Sequence, residues 1–109
     1  MRGLPFFLAV VVAALARSGS LQTPVTGQDI YRVRCAMCHG VEGRGDGTAA
    51  AAMNPRPTNL TARAQRTALA DSAVAAVVTN GRRAMPAFGR MLTKAQVDSV
   101  VAYVRTLAH

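Results

Sequence analysis

Cys35-Ala36-Met37-Cys38-His39 is the stretch of this chain whose residue types and spacing point to chemistry. Two thiols three positions apart at a helix end face one direction, so both sulfurs can add to the two vinyl groups on one porphyrin edge. His39 follows directly, and its imidazole can reach the iron from the same side once the thioethers fix the ring. C-x-x-C-H therefore reads as covalent haem attachment. Two other chemistries use the same atoms. A thioredoxin-like dithiol needs a βαβ context, and the chain shows no strand alternation. A structural zinc needs four ligands, and beyond these three the nitrogen and sulfur donors are His109 and five Met.

Haem iron wants a sixth ligand or a deliberately open site. Met37 lies inside the attachment loop on the proximal side and cannot cross the ring, and His109 is terminal. Met53, Met85 and Met91 remain. Pro86 restricts Met85 to an extended backbone, so a loop can present its thioether instead of burying it in a helix. For Met53 and Met91, filling the core is the better reading.

The elements that must hold these residues are helical. Thr26 can N-cap a helix over about Gly27 to Cys38, which Gly40 ends. From Gly40 to Asn59 the glycines and prolines argue for loop, apart from a turn at Thr48–Met53. Asp71 is expected to cap a short helix, Ser72 to Thr79, stopped by Asn80-Gly81. Thr93 and Gln96 form a capping box, Leu92 can staple onto Val97, and Val97, Val100, Val101, Val104 and Leu107 make an apolar stripe at helical spacing. The fold class is all-α.

A chain of 109 residues allows one domain. Ala supplies 21 of them, and past residue 10 the only large rings are Tyr31, Phe88 and Tyr103. Such a domain is marginal without a staple, and two cysteines this close cannot close a long loop. Something other than protein should fill the core, as a haem does. Residues 1–20 read as a signal peptide: Arg2, an apolar run from Leu4 to Ala16, and cleavage near 16 or 20. The run is short of the ~20 residues a spanning helix needs and contains Pro5, so an uncleaved anchor is the lesser reading and no stable membrane span is expected. The mature domain, 21–109, is exported.

The net charge is +8, and twelve of the thirteen cations are Arg. Cleavage at 16 leaves +7 and cleavage at 20 leaves +6. Export and the scattering of the cations argue against nucleic acid. Either the surface is simply solvated or it docks an acidic partner.

Gly27-x-x-Ile30-Tyr31, Cys35–Gly40, Gly43-Arg44-Gly45-Asp46-Gly47, Pro55–Leu60, Met85-Pro86-Ala87-Phe88 and Val101–Arg105, in this order, resemble a mono-haem class I cytochrome c across residues 26 to 107. The resemblance implies a small fold of three main helices and short turns around one haem c, with thioethers at Cys35 and Cys38 and axial ligands His39 and Met85. It implies that Gly27 and Tyr31 cross Val100 and Tyr103 at close range. It also implies that a backbone carbonyl in the Pro55–Pro57 stretch accepts the His39 Nδ1 proton, and Arg56 is either a propionate partner or a solvated Arg. Two closed ligands leave no site for substrate, so the expected activity is single-electron carriage between redox proteins in the periplasm, not catalysis. The alternatives are the haem subunit of a larger oxidoreductase and a haem-based ligand sensor or peroxidase with an open sixth site. Arg82 and Arg83, just before Met85, are expected either to steer docking more than Arg63 and Arg66 or to hold a propionate.

Overall fold

A computed structural model describes residues 3, 24–62 and 69–109. The signal segment, apart from residue 3, and Arg63 and Arg66 lie outside the described residues. Among the described residues there are four α-helices and one 3-10 turn: α1 (Gly27–Arg34), α2 (Ala36–His39), the turn Ala50–Ala52, α3 (Asp71–Asn80) and α4 (Lys94–Leu107). Among the described residues the only β pairing is an isolated bridge between Arg82 and Met85.

α1 starts at a capping box: the Thr26 side chain accepts from the Asp29 N–H, and the Asp29 carboxylate accepts from the Thr26 N–H. The single helix expected from Gly27 to Cys38 is two. At Cys35, φ of −116° takes the chain out of the ladder, and a fresh turn begins in which Cys38 and His39 N–H both donate to the Cys35 carbonyl. Gly40, with φ of +86°, ends that turn as expected.

α4 begins at the expected box of Thr93 and Gln96. Its Val97, Val100 and Val101 are buried, and Val104, Leu107 and Leu92 pack against them. α1 crosses α4 so closely that a Cβ on Gly27 would overlap the Ser99 carbonyl oxygen. Tyr31 is fully buried one turn further on, with its ring centroid 5.2 Å from that of Tyr103. The crossing implied by the resemblance is present.

α3 begins one residue earlier than expected. Its N-cap is Ala70, which offers no side-chain bond, and Asp71 is the first helical residue. The carboxylate is drawn elsewhere: Arg105 of α4 donates to it through Nε at 2.7 Å, and through Nη2 to the Leu69 carbonyl. That pair holds the start of α3 against the end of α4. Gly81 stops α3, as the sequence implies.

Candidate haem site

The four helices and the loops between them line a cavity of about 650 Å³. Cys35, Cys38, His39 and Met85 all line it. Its apolar wall comes from α3 through Val74, Val77 and Val78 and from α4 through Val100 and Val104. A second opening, about 670 Å³ between α3 and α4, carries no thiol, imidazole or thioether.

The turn bearing the two thiols is held by backbone on both sides. Tyr31 Oη donates to the Gly40 carbonyl at 2.6 Å, tying its C-terminus to α1. The glycine loop folds back over it: Gly45, Gly47 and Ala49 N–H donate to the carbonyls of His39, Cys38 and Met37. The pattern Gly43-x-Gly45-x-Gly47 is thus a lid on the attachment turn, and Leu60 N–H closes it through the Gly43 carbonyl.

His39 Nδ1 lies 3.0 Å from the Thr58 carbonyl oxygen. A carbonyl only accepts, so Nδ1 carries the proton and Nε2 keeps its lone pair. The acceptor is one residue past the expected Pro55–Pro57 stretch.

Burial, and secondarily the neighbouring Cys38, push the Cys35 thiol up to about 11. A redox-active C-x-x-C cysteine needs the opposite shift, so the dithiol reading has no support here. Zinc fares no better: among the described residues, no group of three or more His, Cys, Asp or Glu could hold a metal ion.

The thioethers divide differently from the sequence reading. Met37 is 64% exposed, in keeping with its place outside the ring face, and Met91 is 51% exposed and lines neither cavity, so it fills no core. Met53 lines the same cavity as Met85. Arg34, Arg56, Arg82 and Arg83 are exposed at its edge, and Arg105 also reaches it. The sequence gives neither Arg34 nor Arg105 a part in the site. Arg105 stands four residues after buried Val101, on the same helix face, and that spacing is the signal that would have found it.

The residues present fit a haem. Both thiols and a correctly tautomerised imidazole share an apolar cavity with a thioether, and its size lies within the roughly 300–1,000 Å³ of ordinary ligand sites. Fold and cavity together define a small class I c-type cytochrome. Residues 22–104 match the family described as cytochrome C oxidase, cbb3-type, subunit III, and the chain belongs to that family. It is also similar to a cytochrome c6 of Rippkaea orientalis, 33% identical over 99 residues that cover 90% of this chain and 80% of the relative. Among solved structures it resembles cytochrome c6 from the diatom Phaeodactylum tricornutum, with a TM-score of 0.57, 28% identity, and coverage of 75% of this chain and 90% of that one. It also resembles part of a Kuenenia stuttgartiensis reducing HAO-like protein complex, with a TM-score of 0.66, 28% identity, and coverage of 76% of this chain and 42% of that one. The protein is accordingly an electron carrier with one covalently attached haem c, and it works with redox partners. Among the described residues no helix is long and apolar enough to cross a membrane.

Proposed function

We propose that Cys35 and Cys38 are the thioether positions, that His39 and Met85 are the axial ligands, and that the protein carries single electrons in the periplasm. The observation that carries this reading is the His39–Thr58 hydrogen bond, which leaves Nε2 free in the cavity that Met85 also lines. When bound, the haem supplies a one-electron iron couple. The chain does the rest. A thioether opposite an imidazole favours the ferrous state and raises the potential, and the valine walls from α3 and α4 act the same way by excluding water. With His39 and Met85 both holding the iron, no site would be left for a substrate.

Docking follows from what is exposed beside the cavity. Met37, Pro86 and Ala87 are exposed near the attachment turn and the Met85 loop, with Arg34 and Arg82 at the cavity edge. An apolar contact ringed by guanidinium groups suits a partner with an acidic docking surface. The apolar run from Leu4 to Ala16, read as an export signal, supports the periplasmic location. A second reading, service as a subunit of a larger oxidoreductase, is favoured by the likeness to part of a larger chain in the Kuenenia complex. Copurification with an acidic protein that resists salt would select it.

Optical spectroscopy of protein made with haem-maturation machinery tests the site. Denatured protein should keep its haem, and the oxidised protein should show the weak red-edge band of a ferric–thioether bond. Met85→Ala should abolish that band. If Met53→Ala abolishes it and Met85→Ala does not, the ligand assignment is wrong.

A further inference from the structure

We propose that Arg83 holds a haem carboxylate at the edge of the cavity, and that a strained turn is kept in this chain for that purpose. The inference rests on a haem occupying the cavity as read above.

The loop before Met85 has little freedom. Arg82 N–H donates to the Met85 carbonyl at 3.1 Å and Met85 N–H to the Arg82 carbonyl at 2.9 Å, closing a two-residue turn at Arg83-Ala84. Beyond it, Phe88 and Gly89 N–H donate to the Val78 and Thr79 carbonyls at the end of α3. A Cβ on Gly81 would stand 2.8 Å from the Met85 carbonyl oxygen, so the turn lies flat on its own base. Within it Arg83 has φ of +52°, alone among the described non-glycine residues in being positive. Glycine adopts that conformation freely, and an L side chain there crowds the neighbouring carbonyl. A side chain retained against local preference does something that glycine cannot.

Arg83 is an exposed residue of the cavity lining, and what its side chain offers there is a guanidinium. No Asp or Glu lines that cavity. Four of the five acids are engaged elsewhere, and the fifth, Asp46, lies against Gly40: Glu42 pairs with Arg44, Asp71 with Arg105 and Asp98 with Lys94, while Asp29 caps α1. A haem brings two propionate carboxylates of its own. A guanidinium meets a carboxylate with two parallel N–H···O bonds, which a lysine ammonium cannot reproduce. Arg34, Arg56 and Arg82 also line the cavity, but on backbone of ordinary conformation. Only Arg83 is placed at a conformational cost. With its charge balanced by Arg83, the propionate stabilises ferric iron less, and the potential rises.

Three variants of the haem-loaded protein separate charge from strain: Arg83→Ala, Arg83→Gly and Arg83→Lys, each followed by voltammetry and thermal unfolding. Alanine and glycine variants should both shift to a lower potential, with lysine between them and the wild type. The glycine variant should unfold at a higher temperature than the alanine variant, because both lack the guanidinium and only alanine keeps a Cβ at positive φ. Wild-type potential in the alanine and glycine variants overturns the proposal, as does coincident unfolding of the two. Unchanged potential with a weakened salt dependence of electron exchange would assign the guanidinium to a protein partner and overturn it equally. Failure of the underlying reading is seen separately, as wild-type protein whose denatured spectrum shows no covalent haem.

Discussion

Four thioethers follow the attachment turn or sit inside it, and the sequence separates them only by context. Exposure removes Met37 and Met91, and the cavity keeps Met85 and Met53. Met53 lies on the same segment as Thr58, the residue that holds His39, whereas Met85 comes from the loop laced to α3. Met91→Ala should therefore leave the red-edge band and the potential unchanged. Tyr31 carries a second residue-scale prediction. Its hydroxyl is buried and donates to the Gly40 carbonyl at 2.6 Å, so Tyr31→Phe leaves that acceptor unpaired and should cost about 1–3 kcal/mol in denaturant unfolding. Burial also raises the Tyr31 phenol from its ordinary value of 10.0. The folded state then keeps a proton that the unfolded state releases, so stability is fully present below about pH 10 and falls as pH rises above it. The Tyr31→Phe protein should lose that part of the alkaline dependence.

At the scale of elements, the α1–α4 crossing positions the site. Gly27 sets its distance, and Tyr31 on the same helix reaches across to the end of the attachment turn. A methyl group at Gly27 meets the α4 backbone, which cannot swing aside as a side chain would. Gly27→Ala should lower the stability of the haem-loaded protein by about 1–3 kcal/mol, with a larger loss for Gly27→Val. Reading the visible spectrum during the same titration should show the proposed iron–thioether band lost earlier than in the wild type. The Arg105–Asp71 pair works in the last turn of α4, where it holds the entry to α3 and hence the valines that wall the cavity.

For the whole molecule, the small protein core and the surface charge decide behaviour. Beyond Tyr31 and Phe88, the larger buried side chains are Ile30 and four valines. A cavity of about 650 Å³ in so small a core is a large deficit when empty. Folding and haem attachment should be coupled: replacing both Cys35 and Cys38 by Ser should leave little folded protein, measured by far-UV circular dichroism and protease resistance. Full helicity and normal yield without haem would contradict this. The same positive surface should make electron exchange with an acidic partner fast at low salt and slow past physiological ionic strength, where the screening length is about 8 Å. Arg82→Gln, at the cavity edge, should lower the association rate more than Arg90→Gln, at an exposed residue that lines neither cavity. The reason is that charges beside the contact act on the docked geometry and remote ones only on the general field.

Much of this protein is local and was therefore legible. The five-residue Cys35–His39 string specifies its own ligand chemistry, Pro86 restricts the backbone of Met85, and the Thr93–Gln96 box and valine stripe of α4 need no distant residue. The break at Cys35 was not legible, because it depends on how α1 meets the glycine loop that covers the next turn. Nor was the carbonyl that orients His39, since its partner is 19 residues away and a shift of one residue past Pro57 changes which carbonyl faces the ring. Asp71 reads as a cap in sequence and becomes half of an ion pair only because α4 brings Arg105 from 34 positions along the chain. Which thioether faces the cavity was fixed by the same means: the sequence supplied a preference for Met85 through Pro86, and the packing of the 81–89 loop on α3 decided that Met85 lines the space and Met91 does not. Short-range spacing fixes what a residue can do, and the path of the chain through three dimensions fixes what it meets.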